Sequence, residues 1–158
     1  GGIVMHPSSI LLAKRILDDL DDSTCLPINI ARLAAGYDID VQIETLPQAI
    51  EGIYVPKRAG GVVIINKTLS YKEKRFTLAH ELYHHLDYLI SPSKGMARFK
   101  GVRCNNAESE ADEFASLILM PEKAFSRLSS SYGLSTKILS DMFRVPEMEV
   151  AKRLRANI

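Results

Sequence analysis

The amino-acid sequence predicts an α+β domain in which a small β-sheet comes first and helices follow. Three observations carry that expectation. Between residues 39 and 66 the apolar pattern breaks into three short runs, the first with a period of two. From Ser70 onward, apolar residues recur at helical spacing almost to the end of the chain. Across all 158 residues, glycine and proline fall largely between patterned segments, with no internal repeat and no low-complexity tract.

The elements follow in order. After Pro7-Ser8-Ser9, the residues Ile10, Leu11, Ala13, Ile16, Leu17 and Leu20 mark a first helix. Acidic residues crowd its end from Asp18 to Asp22, where they oppose the helix dipole and favour fraying. Asn29 to Ala35 reads as a short helix ended by Gly36. Ile39, Val41 and Ile43 then alternate with Asp40, Gln42 and Glu44, the signature of a half-buried strand. Gly52 to Val55 and Gly61 to Ile65 are two further strands, joined by Pro56-Lys57-Arg58-Ala59-Gly60 as a hairpin connection. A long helix spans Tyr71 to Ile90, and a loop from Ser91 leads to a second long helix over Ala107 to Met120, stopped by Pro121. Three shorter helical segments close the chain: Glu122 to Ser130, Ser135 to Phe143 and Pro146 to Ala156. We divide the chain at residue 120, with 1–120 as the domain holding the chemistry and 121–158 as a helical extension.

Composition narrows the functional classes. Hydrophobic residues make up 46% and charged residues 25%, as in globular rather than disordered chains. Twenty basic against nineteen acidic residues leave a net charge of +1, with no overall pull toward nucleic acid or an acidic membrane surface. The longest apolar runs, Gly61 to Ile65 and Phe114 to Met120, fall far short of the roughly 18 residues of a membrane span. Cys25 and Cys104, 79 positions apart, do not make a disulfide scaffold. Gly1 to Ser9 lacks the layout of a signal peptide, so the expectation is a soluble cytoplasmic protein.

His80-Glu81-Leu82-Tyr83-His84 carries the chemistry. On a helix, positions i and i+4 are neighbours on one face, so His80 and His84 can aim two imidazole nitrogens at one ion. Glu81 lies about 100 degrees around the helix from His80, beside the ion rather than on it. This is the HExxH pattern, in which two histidines bind zinc and the glutamate is the general base. The preceding Arg75-Phe76-Thr77-Leu78-Ala79 contains no helix breaker. The competing explanation, two unrelated histidines on one helix, is much the weaker.

A catalytic zinc takes three protein ligands and keeps one position open. His6, His85, Asp87, Cys104, Glu108, Glu110, Asp112 and Glu113 are the candidates for the third. His85 neighbours His84 and points off its face, which suits a solvated or supporting role. His6 precedes the fold. Cys104 is a rival as a thiolate ligand or a plug in the open position. Glu108 is favoured, because Asp112 follows at i+4 and can accept from the other ring nitrogen of His80, fixing its tautomer. The plainer reading of Glu108, Glu110, Asp112 and Glu113 is an acidic start to a helix. Ala111, Phe114, Ala115, Ile118 and Leu119 form the stripe that packs this helix on the first long one. Two histidines and one carboxylate suit zinc and also admit manganese.

Two stretches resemble the ImmA/IrrE family of metallopeptidases. One is Arg75-Phe76-Thr77-Leu78-Ala79-His80-Glu81-Leu82-Tyr83-His84. The other is Glu108-Ser109-Glu110-Ala111-Asp112-Glu113-Phe114-Ala115, running on to Leu117-Ile118-Leu119-Met120-Pro121. Val62-Val63-Ile64-Ile65-Asn66 is similar too, and the likeness spans about residues 25 to 125. The resemblance implies a gluzincin-like zinc peptidase with His80, His84 and Glu108 as ligands and Glu81 as catalytic base. It further implies a protein substrate, a helix-turn-helix DNA-binding repressor whose cleavage relieves transcription in a bacterial mobile element or stress response. Tyr83 departs from the pattern, where many relatives have glycine. Its ring would narrow the pocket or pack on the sheet.

An oxyanion donor is needed as well, and Tyr83, His85, Tyr88, Arg98, Arg103 and Tyr132 are the candidates. The hairpin before the zinc helix offers an edge for an extended substrate. In the extension, seven basic residues face four acidic ones. Leu139 to Pro146 resembles a helix-turn-helix corner, which raises direct DNA binding with a structural or silent zinc as the alternative function. A helical cap packing through Leu134, Ile138, Met142, Val150 and Leu154 is favoured over it, since so mild a charge is weak for binding DNA unaided. A component of a toxin–antitoxin pair is the third alternative.

Overall fold

The computed structural model describes residues 7–20, 25–92 and 105–156. Helix α1 (Pro7–Asp19) is followed by α2 (Ile30–Gly36), where the Asn29 side chain accepts from the Arg32 amide at 3.0 Å and supplies the N-cap. Gly36 is the last residue of α2, as expected, and the chain turns two residues later at Asp38, whose φ is 58°. Three strands follow: β1 (Ile39–Glu44), β2 (Gly52–Pro56) and β3 (Gly61–Asn66).

The sheet order is β1-β3-β2. β2 and β3 form the expected antiparallel hairpin, with Gly52 opposite Ile65 and Pro56 opposite Gly61. β1 joins the other side of β3 in parallel, Ile39 opposite Gly61 and Glu44 opposite Asn66. The central position of β3 explains its unbroken apolar run, since a strand with neighbours on both sides and a helix on one face has little solvent to meet. β1 is an edge strand, and Ile43, expected on its buried face, is 46% exposed. Asn66 closes β3 as a buried hub. Its amide nitrogen donates to the carbonyls of Leu46, Pro47 and Ile50, and its oxygen accepts from Leu46, Thr68 N and Thr68 Oγ1.

The two long helices lie where the periodicity places them. Helix α3 (Tyr71–Ile90) begins with a capping box: Ser70 Oγ accepts from the Glu73 amide, and Glu73 accepts from the Ser70 amide at 2.8 Å. Its faces meet β2 and β3 on one side and α4 (Asn105–Leu119) on another. Ala111, Phe114, Ala115, Ile118 and Leu119 are fully buried, as the stripe requires. After α4 come α5 (Glu122–Ser126), a π-helical turn (Arg127–Ser131), α6 (Thr136–Phe143) and α7 (Glu147–Ala156). The segment expected as one helix to Ser130 therefore loosens to π geometry after its first turn and a half.

The C-terminal elements share the apolar cluster of the zinc-motif helix through Phe125, Leu139, Phe143, Val145 and Val150. Leu134 and Leu154 pack against it, but Ile138 and Met142 are exposed. Helix α6 is rotated so that Leu139, Ser140 and Phe143 face inward instead. Polar ties fix that rotation. The buried Arg75 guanidinium donates to the carbonyls of Ile28 at 2.8 Å, Arg144 at 3.0 Å and Phe143 at 3.4 Å. Arg153 donates to Ser116 O and to Glu122 and lies over the Phe125 ring. No helix among the described residues is long and apolar enough to cross a membrane.

Candidate metal centre

His80 and His84 sit one turn apart on α3, and Glu108 faces them from the first turn of α4. The three ligand atoms form a small triangle. His80 Nε2 is 3.2 Å from His84 Nε2 and 3.1 Å from one Glu108 oxygen, and His84 Nε2 is 3.1 Å from the other. Ligands about 2.0–2.1 Å from a tetrahedral zinc stand about 3.3–3.4 Å apart. The donor set thus fits a divalent cation with shifts of a few tenths of an ångström, and its nitrogen and oxygen atoms suit zinc. Among the described residues it is the one His/Cys/Asp/Glu group arranged to hold a metal.

Asp112 completes the arrangement. Its Oδ1 lies 2.8 Å from His80 Nδ1, so an Nδ1–H donor leaves Nε2 to face the centre. Burial alone would make His80 harder to protonate, but hydrogen bonds to Asp112 and Glu108 outweigh it and push the pKa up to about 10. Hydrogen bonds from His80 and His84 hold the Glu108 carboxyl far below the ordinary carboxylate range, against the opposing effect of burial. The site is open on the Glu108 side: that side chain is 44% exposed, against 15% and 14% for the two histidines.

Glu81 is buried on the side of α3 that meets β2. Its carboxylate lies against Gly52, the first residue of that strand, with Thr77 one turn behind. The helix spacing thus turns His80 and His84 toward α4 and Glu81 toward the sheet.

The other candidates sort themselves by burial. His85 is 1% exposed rather than solvated; its Nδ1 lies 2.7 Å from Tyr54 Oη, and burial lowers its pKa. A neutral ring therefore accepts from the tyrosine, whose own pKa burial raises to about 12. Tyr83 turns toward α4, with its ring edge-on to that of His84. It is fully buried against Phe114 of α4, and its hydroxyl donates to Glu110. The Tyr83 hydroxyl and the His85 ring N–H, which bonds the Tyr37 backbone, are engaged elsewhere, and Tyr132 is 67% exposed beyond the π-helical turn. Tyr88 stands one turn beyond His84 on the same face, its ring edge-on to Tyr54. Asp87, Glu110 and Glu113 are not in the ligand triangle; Glu113 accepts from Ser9 of α1 at 2.8 Å. His6, Arg98, Arg103 and Cys104 lie outside the described residues.

The roles of Gly52, Tyr54 and Arg75 escape sequence reasoning. Each acts across the gap between elements distant in the chain, and no local spacing marks such a contact.

Comparison with known proteins agrees with this geometry. The family model of the IrrE N-terminal-like domain, a peptidase family, matches residues 34–155. Among solved structures, a transcriptional regulator of Mycobacterium tuberculosis superposes with a TM-score of 0.67 at 21% identity, over 95% of this chain and 47% of that one. The likeness is one of fold, and the chain spans about half the length of that protein. No curated protein matches the chain.

Proposed function

Because the chain belongs to the IrrE N-terminal-like peptidase family, we propose that it is a zinc-dependent endopeptidase that cleaves a helix-turn-helix DNA-binding repressor and so relieves transcriptional repression. The observation that carries the reading is the convergence of His80, His84 and Glu108 from two helices, with Glu81 beside them and outside the ligand set. When bound, the cation supplies Lewis-acid chemistry, polarising a carbonyl and acidifying a water.

The chain supplies the rest. Glu81 takes a proton from the attacking water and returns it to the leaving amine. Asp112 holds the His80 ring in the tautomer and orientation that coordination needs. Among the described residues β2 has a neighbour strand on one side only, so its other edge can take an extended peptide as an added strand beside Glu81. Tyr88 is the remaining described donor for the developing oxyanion.

The alternative is a DNA- or repressor-binding regulator with a structural or silent metal. The α6–α7 corner favours it through its helix-turn-helix outline, with Arg144 in the left-handed region between the helices. The first turn of α7 argues against it, because Glu147 and Glu149 would meet phosphate there. The test is Glu81→Gln, assayed on the repressor encoded beside the gene. Zinc should be retained and cleavage abolished. Persistent cleavage refutes the mechanism, and salt-sensitive duplex binding unchanged in the variant favours the alternative.

A further inference from the structure

Gly52 opens β2 where that strand crosses the Thr77–Glu81 turn of α3. A Cβ built on it would lie 2.6 Å from Thr77 Cγ2 and 3.3 Å from both Cγ and Oε1 of Glu81. The first distance is shorter than real carbon atoms tolerate, and the second is tighter than ordinary van der Waals contact. The space a side chain would need at position 52 is thus taken by two side chains of α3, four residues apart on one face.

Backbone torsion does not explain this glycine. Among the described glycines, positive φ is confined to Gly60 and Gly133, so position 52 has a conformation open to any residue. What it provides is closeness. Glu81 and Thr77 are both buried, and the Thr77 methyl group and the Glu81 stem lie side by side in the slot over the Gly52 backbone. That slot limits where the carboxylate can stand.

We propose that Gly52 is a positioning residue for Glu81, holding its carboxylate beside the metal centre through the absence of a side chain. The proposal rests on the reading of Glu81 as the general base. Alanine at 52 would push that carboxylate by some tenths of an ångström while leaving His80, His84 and Glu108 in place. A misplacement approaching 1 Å at a reacting centre can cost about 100-fold in rate.

The test needs no substrate. The full chain is loaded with Co(II), whose visible bands report its coordination sphere, and the bands are titrated against pH. Glu81→Gln gives the reference shift that follows loss of the carboxylate. Gly52→Ala should move the midpoint in the same direction by about half a unit or more, with Co(II) affinity unchanged. Gly52→Ala should add nothing in the Glu81→Gln background. Thr77→Ser removes the methyl group behind the 2.6 Å clash. It therefore keeps the double variant Gly52→Ala/Thr77→Ser foldable, and the shift should persist there. A wild-type midpoint in Gly52→Ala, an additive shift with Glu81→Gln, or abolition of the shift by Thr77→Ser would each overturn the proposal. If Glu81→Gln itself leaves the midpoint unmoved, the base assignment falls and Gly52 with it. Wild-type protein that takes up no Co(II) sinks the peptidase reading as a whole.

Discussion

Replacing Asp112 by alanine removes the acceptor that orients His80, and the expected loss can be worked from the geometry. The bond is short, 2.8 Å from Oδ1 to His80 Nδ1, and it fixes which ring nitrogen faces the ion. Partners of this kind usually contribute 10- to 100-fold to metal affinity. Asp112 is 55% exposed, so water can replace much of the interaction, and the lower end applies. Asp112→Ala should therefore weaken zinc about 10-fold, or ~1.4 kcal/mol. Asp112→Asn keeps an acceptor for Nδ1–H and loses only the charge, so it should fall between wild type and alanine. Competition with a chromophoric chelator measures both. Affinity equal to wild type in both variants would show that His80 is held by packing on α3 alone, and the assigned role of Asp112 would be wrong.

Proton release offers a second prediction. His80 is protonated in the metal-free protein up to about pH 10, whereas Glu108 is already ionised across the working range. A cation must therefore displace the His80 proton but none from Glu108. Its affinity should rise roughly tenfold per pH unit between about pH 6 and 9. Calorimetry in buffers of different ionisation enthalpy counts the protons, and a flat profile contradicts the picture. Asn66→Ala should cost about 3 kcal/mol, because it strands the buried groups of the Leu46–Ile50 connection, and it should lower Tm by roughly 10 °C. A loss below about 1 kcal/mol in urea unfolding would mean that water replaces the hub. Arg75→Met should cost about 2–4 kcal/mol by leaving the carbonyls of Ile28, Phe143 and Arg144 without their donor. The same unfolding experiment measures it, and a neutral result would remove Arg75 as the tie between α3 and α6.

These residues also divide what the sequence could reveal from what it could not. His80, Glu81 and His84 were legible because helix geometry alone places them, and α3 spans the residues its periodicity indicates. Glu108 and Asp112 were legible at one remove, through the need for a third ligand and the i+4 spacing on a second helix. The parallel pairing of β1 with β3 was not, since a strand pattern states which residues face inward but not which neighbour they meet. Helix α6 shows the same limit more sharply. Ile138 and Met142 form one apolar stripe, and Leu139 and Phe143 form another beside it, so periodicity cannot decide which stripe is buried. The decision comes from polar groups that read as unremarkable surface in the sequence. Arg75 must find carbonyl oxygens, Ser140 donates to Val145 O, and Lys72 reaches both Ser140 and Asp141. Turning the helix to bury Ile138 and Met142 would break those bonds while burying no more apolar surface. A buried guanidinium left without acceptors costs several kcal/mol, more than a one-residue change of stripe can return. The rotation of α6 on α3 is therefore set by hydrogen bonds to Arg75, five residues before His80, together with the hydrophobic pattern and not by that pattern alone.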